Sequence, residues 1–273
     1  LQTSADELAC VHHFANVLYN GMRGGVFTDG YRFPTADFMA FLRQRNRALA
    51  RRHRARFARQ PETMDLARLR QVAEAAQDVN LQRLAGEYLP LTFSRRHGDP
   101  SRPWNRFAIH VRDENGRPIY NYQGNWRDIF QNWEGLSLSY PGWLESMIAA
   151  FLNASSADGY NPYRIGRDGI DWEVEDPQDA WSHIGYWGDH QIIYLLRLLE
   201  GLEKFEPGRL GQRWRVAAYA SAQIPYRIKS LASLLKNPRE TIEFDGEQHR
   251  ALLARAAREG ADGRLLHDAK GHL

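Results

Sequence analysis

The chain has 273 residues, 43% of them hydrophobic and 25% charged, with a net charge of +3. That is enough for one large or two modest domains around a real core, with the balance of a soluble globular protein. No apolar run approaches the roughly 20 residues of a membrane span, and the single cysteine, Cys10, excludes an intrachain disulfide and fits a reducing, cytoplasmic compartment.

The N-terminus, Leu1-Gln2-Thr3-Ser4, has neither an initiator Met nor a signal-peptide pattern, which suggests a piece of something longer. Leu8, Val11, His12, Ala15, Leu18 and Tyr19 recur at helical spacing and predict an amphipathic helix over 5–22. Gly24-Gly25 ends it, and 27–33 reads as a turn-rich connector. Pro34 opens one long Arg-rich helix with Phe38, Phe41, Leu42, Ala48 and Leu49 inward. Its Arg43, Arg45, Arg47, Arg51, Arg52, Arg54, Arg56 and Arg59 are read as a solvated helix surface. The alternative is an anion- or nucleic-acid-binding face, but no aromatic beyond Phe57 is interleaved with the charges. Pro61 opens another helix with Leu66, Leu69, Val72, Ala73 and Ala76 on its apolar face, and a shorter helix ends near Tyr88.

Residues 95–104 are a Gly/Pro-rich loop. Asn115-Gly116 between two alternating runs predicts a β-hairpin near 106–122. Helices follow over 126–138 and from Pro141 to Asn153, then a long loop over 155–186, of the kind that usually carries function. His190 to Phe205 is a strongly apolar helix, and further helices fall near 209–222, 226–236 and 246–259. The tail 260–273 reads as loop. The fold class is mainly α, with an N-terminal helical segment over 1–90 and a second segment over 91–273 holding the hairpin and the aromatic-rich loop.

The chemistry concentrates in the middle, where seven of the eight Trp lie between Trp104 and Trp187. Gly124 to Glu134 sets Trp126, Arg127, Asp128, Gln131, Trp133 and Glu134 within eleven residues. Rings that stack on sugar faces and forked polar groups that take hydroxyls are what a polyhydroxylated ligand needs. Downstream come Tyr160 and Asn161, then Asp171-Trp172-Glu173, then Trp187 and Asp189. Alternation puts Asp171 and Glu173 on one side of an extended strand, so these two are the candidate catalytic carboxylates. The Asp-Gly pairs at 158–159 and 168–169 are read as turns. His12-His13, His183 and His190 lack a metal-ligand spacing, no glycine loop cradles a phosphate, and no metal is expected.

Gly124-Asn125-Trp126-Arg127-Asp128-Ile129-Phe130-Gln131-Asn132 resembles the Gly-Phe-Arg-Asp-Gln-Leu-Gln-Asp segment of cellobiose-phosphorylase-like glycoside hydrolases and phosphorylases. Tyr160-Asn161-Pro162-Tyr163 stands where that family has a His-Trp-Trp-like element, and Asp189 opens an apolar helix as its Asp-Asp does. The resemblance implies an (α/α)6 toroid, here incomplete, whose loops hold an oligosaccharide, with Arg127, Asp128, Tyr160 and Asp189 near the sugar. It implies an inverting glycosidase or sugar phosphorylase needing no cofactor beyond inorganic phosphate as a co-substrate. Trp126 replaces the family's Phe and Asn132 its last Asp. The downstream Asp-Trp-Asn-Asp motif that supplies the proton donor does not occur before Leu273. The expectation is therefore a fragment whose partner is the remainder of a larger parent chain. In it Trp126, Trp133, Trp172 and Trp187 wall the site, Asp171 or Glu173 is the base, and the general acid is absent. Two rival readings stay open: a non-catalytic helical protein binding carbohydrate or a partner, and a nucleic-acid-associated protein using Arg43–Arg59. No membrane role is expected.

Overall fold

The computed structural model describes residues 11, 27–92, 112–157, 159–162, 164–172, 192–213, 219–238, 241–268, 270 and 273, with Arg127 described by its backbone alone. The helix expected over 5–22, the loop over 95–104, and Glu173, Trp187 and Asp189 lie outside the described residues.

The N-terminal part folds as β1 (Arg32–Pro34), α1 (Thr35–Arg45), α2 (Arg47–Phe57), β2 (Thr63–Asp65), α3 (Leu66–Glu74) and α4 (Val79–Glu87). The single long Arg-rich helix that the sequence predicts is two. Asn46 leaves helical space at φ −149 and ψ 100, its N–H closes α1 on Leu42 O, and its side-chain oxygen accepts from Leu49 N to open α2. A short amide that can bond its own backbone ends one helix and caps the next. The helix expected to open at Pro61 instead begins at Leu66. Thr63–Asp65 are committed to an antiparallel ladder with β1, and the Asp65 carboxylate caps α3 by accepting from Arg68 N.

The predicted Asn-Gly turn is present. Gly116 takes φ 76, and Asp113 Oδ1 accepts from the N–H groups of Asn115 and Arg117 at 2.9 Å each. Arg112 bridges Pro118 across it, and Tyr120 pairs with Thr92. Next come β3 (Gln123–Asn125), α5 (Trp126–Ser139), a 3-10 turn over Pro141–Trp143, and α6 (Leu144–Ala154).

The stretch expected to be loop from 155 contains β4 (Arg164–Gly166) and β5 (Gly169–Asp171), which form an antiparallel sheet in the order β3-β4-β5. Strands of three residues are too short for period-two alternation to show. The rest is α7 (Ile192–Phe205), α8 (Arg209–Arg213), β6 (Tyr226–Ile228), α9 (Leu231–Lys236), β7 (Ile242–Phe244), α10 (Gly246–Glu259) and a 3-10 turn over Ala261–Arg264. β6 pairs with β7 and replaces the first half of the helix expected over 226–236. The described class is mainly α, as the sequence predicts. No helix among the described residues is long and apolar enough to cross a membrane.

One apolar cluster runs from Phe27 and α1–α4 through Trp143 into α5, α6 and the three-stranded sheet. Tyr88 is its hinge, edge-on to Phe38 at 5.1 Å between ring centres and to Trp143 at 6.5 Å. The tail, expected as loop, is also packed: Leu265 pairs with Ala222 and Asp262 is 4% exposed.

Candidate functional site

The β4–β5 hairpin, Gln123 of β3, Gln44 of α1 and the last turn of α10 surround a cleft of about 450 Å³. Antiparallel register places Arg164 opposite Asp171. The guanidinium of Arg164 donates to Asp171 Oδ2 from Nε at 3.0 Å and from Nη2 at 2.6 Å. From the other side the 3-10 turn brings Arg264 Nη1 to 3.7 Å from Asp171 Oδ1. Asp168, in the β4–β5 turn, lines the same cleft. Burial pushes the Arg264 pKa down while the charges of Asp171 and Asp168 oppose it, so one guanidinium serves both carboxylates. Arginine remains charged in any protein setting.

The Asp171 side chain is 51% exposed, whereas that of Arg264 is 12% exposed. Water or a ligand therefore reaches the carboxylate while the arginine stays fixed. Two carboxylates, three guanidinium groups (Arg47, Arg164 and Arg264) and two amides, Gln44 and Gln123, supply acceptors and donors beside apolar Ile170 and Ala256. A ligand whose hydroxyls each donate and accept matches such a ring of groups.

Behind the cleft, Gly169, Ile170, Ala261 and Arg264 also line a narrow space reaching Arg45, Glu87 and Asp262. These charges form a closed network. Glu87 accepts from Arg45 and, at 2.8 Å, from Asn153 Nδ2, and Arg83 Nη1 lies 3.6 Å from it. Asp262 accepts from Arg83 at 2.5 Å and from Asn46 at 3.1 Å. Burial lowers the Arg45 pKa and the Glu87 charge raises it, with a net rise. The network fixes the floor on which Arg264 stands.

The structure sends the residues expected from sequence to three places. Asp171 is in the cleft. Trp126 and Trp133 are 1% and 0% exposed, with Trp126 against Phe151 at 4.7 Å and Trp133 against Phe130 at 5.0 Å. Their faces are core contacts, not stacking walls. Helical spacing inside α5 gave them the same signal as a binding belt, and burial decides otherwise. Asp128, Gln131 and Glu134 lie on the outer side of α5, away from the Asp171 cleft, with Glu134 4.0 Å from Arg197 of α7. Tyr160, Asn161 and Trp172 form a third group, at most 6% exposed. Tyr160 stacks on Trp172 at 5.4 Å and Asn161 Oδ1 accepts from Ser155 Oγ at 3.0 Å. Neither ring offers a free face.

Sequence reasoning missed Arg164, Arg264, Gln44 and Gln123, and read Asp168 only as a turn. Arg164 carried a signal, seven residues before Asp171 across an Asp-Gly turn. Arg264 carried none, since the tail held no periodicity. No group of three His, Cys, Asp or Glu that could hold a metal occurs among the described residues.

Residues 27–90 match the model of glycoside hydrolase family 149 insertion domain 1. That span is glycoside-hydrolase-like. It covers β1 to α4, and so the elements that bring Gln44, Arg45, Arg83 and Glu87 to the cleft and its floor. The match relates the chain to carbohydrate-active proteins through its N-terminal helical part rather than through Gly124–Asn132. No curated protein matches the chain.

Proposed function

We propose that this chain is part of an inverting glycosidase or sugar phosphorylase acting on oligosaccharides, and that the cleft around Asp171 holds sugar. The observation that carries the reading is the exposed Asp171 carboxylate clasped by Arg164 and Arg264 in a cleft shared with Asp168. It stands beside a segment similar to a glycoside hydrolase insertion domain. Inversion needs one group to take a proton from the attacking water or phosphate on one face of the sugar, and an acid to protonate the leaving oxygen on the other. Asp171 is the acceptor in this scheme. Arg164 and Arg264 orient it and take sugar hydroxyls or phosphate oxygens through their free N–H groups. Asp168 hydrogen-bonds a second hydroxyl. The proton donor comes from elsewhere in an (α/α)6 parent.

A second reading, a non-catalytic carbohydrate-binding protein, is favoured by one detail. Two N–H groups of Arg164 converge on Oδ2 of Asp171, which leaves this oxygen little acceptor capacity for an attacking nucleophile.

Calorimetry of the chain against a panel of gluco-oligosaccharides tests sugar binding, and release of sugar or sugar phosphate by the parent protein that supplies the proton donor, followed with and without inorganic phosphate, tests turnover. Asp171→Asn is expected to abolish turnover while weakening binding no more than about tenfold, or about 1.4 kcal/mol. Sugar binding without turnover by the wild-type parent protein, with binding lost in Asp171→Asn, selects the second reading. No sugar binding at all removes the cleft from both.

A further inference from the structure

The eight arginines of residues 43–59 do not share one role. Arg45 is buried against Glu87, Arg52 pairs with Asp78 at 2.8 Å, and Arg47 donates to the carbonyls of Ala257 and Arg258 at 2.6 and 3.2 Å. Arg43, Arg51 and Arg54 are exposed and make no ion pair among the described residues. These three line a groove of about 710 Å³ along α1 and α2, whose reachable apolar lining is Ala36, Met39 and Ala58, with Ala50 and Phe57 buried beneath. Glu62 is the one acidic residue among its described lining residues. A plain solvated helix face would scatter these charges over a convex surface. Here they rim a concavity with an apolar bottom.

On α2, positions 47, 51 and 54 follow an i, i+4, i+7 stripe about 10 Å long at 1.5 Å per residue. An occupant must present negative charge at the rim and apolar atoms to the floor. Single-stranded nucleic acid and neutral sugars both bind through exposed ring faces. Among the described lining residues the one ring is Phe57, which is 2% exposed and cannot provide such a face. An acidic amphipathic helix meets both demands, its apolar side on Ala36 and Met39 and its carboxylates on the arginines.

We propose that this groove docks an acidic amphipathic segment of a partner protein. The test is separable from the sugar reading, because Arg43, Arg51 and Arg54 do not line the Asp171 cleft and Arg47, which lines both, is left unchanged.

The test is fluorescence anisotropy on the full chain with a labelled peptide of about 18 residues carrying Glu at i, i+4, i+7 beside a Leu stripe. Three competitors are run beside it: the same peptide with Gln for Glu, a scrambled peptide of equal charge, and a single-stranded oligonucleotide. The amphipathic acidic peptide is expected to bind and to weaken by at least about tenfold between about 0.05 and about 0.5 M salt. Arg51→Glu combined with Arg54→Glu, both exposed and without an ion pair among the described residues, is expected to weaken it a further tenfold or more with unchanged circular dichroism. Met39→Ser is expected to weaken it several-fold while leaving the salt dependence as it was. Absence of binding at low salt, equal binding by the charge reversal, or equal binding by the scrambled peptide or the oligonucleotide overturns the proposal.

Discussion

Gly260 follows α10 at φ 105 and ψ −179, a backbone region that side chains with a Cβ rarely enter. A Cβ there would lie 2.5 Å from Arg45 O and 2.7 Å from Gln44 O. Both are backbone atoms of α1, which cannot step aside as a flexible side chain can. Strain and clash therefore add, and Gly260→Ala is expected to cost at least about 2 kcal/mol, read as a lower urea midpoint at unchanged slope. Because the turn that starts at Gly260 carries Arg264, the same variant is expected to weaken any ligand of the Asp171 cleft. Gly211, with nothing within 4 Å of a Cβ and negative φ in α8, is the control. Gly211→Ala is expected to be neutral or stabilising by up to about 1 kcal/mol. Equal losses in the two variants would show that the close approach of the tail to α1 is not what Gly260 permits.

Three elements are clamped at one carboxylate. Glu145 in the first turn of α6 accepts from Arg209 at 2.6 Å and from Arg213 at 2.8 Å, both on α8, and from Arg70 of α3 at 2.8 Å. Burial pushes the Glu145 carboxyl up, but the hydrogen bonds from Arg213 and Arg209 and the Arg70 charge outweigh it and bring it from 4.5 to about 2. A carboxyl depressed in the fold contributes stability that is fully present above its unfolded value and is lost as pH falls through its folded value. The clamp's share, on the order of 2 kcal/mol, is therefore expected to disappear between pH 4.5 and about 2. Glu145→Gln should be less stable than wild type by about 3 kcal/mol at neutral pH, because three guanidiniums lose their anion. Thermal unfolding of both proteins across that pH window checks it: the gap should close on acidification, and a constant gap would sink the account. Nothing in the sequence announced this clamp, because its partners lie 64, 68 and 75 positions away and each is an ordinary Arg on a helix. What was legible at the scale of elements was what periodicity and caps record locally. α5 and α10 have long amphipathic faces and lie where the pattern puts them. The break at Asn46 was written in its residue type but overruled by the apolar stripe on either side of it, and strands of three residues left no pattern to read.

At the scale of the whole molecule, the N-terminal helices and the C-terminal turn meet through charge rather than through apolar area. Arg45, Arg83 and Glu87 lie on α1 and α4, Asn153 on α6, and Asp262 in the last turn, all of them at most 7% exposed. The sequence reading singled out Asp171 within a stretch it took for loop and missed both arginines that pair with it; Arg264 was illegible for a physical reason. Asp262-Gly263-Arg264 has loop composition, and the charged and amide partners of Asp262 lie 179 and 216 positions earlier. Such a network makes a quantitative demand. Breaking a buried ion pair from one side leaves an uncompensated charge and costs about 3–5 kcal/mol, whereas replacing both partners with apolar groups of similar volume is close to neutral. Asp262→Ala is thus expected to destabilise by that amount, stranding the Arg83 guanidinium at 4% side-chain exposure. Arg83→Met alone should cost less, since Asp262 keeps Asn46 and Glu87 keeps Arg45 and Asn153. The double variant Arg83→Met/Asp262→Leu should recover at least about 1 kcal/mol relative to the sum of the singles, a coupling that a denaturant double-mutant cycle reads directly. Strict additivity would mean that the tail is held by its apolar contacts through Leu265 alone. The floor beneath Arg264 would then owe its position to packing, and the Asp171 cleft should survive loss of the charge pair.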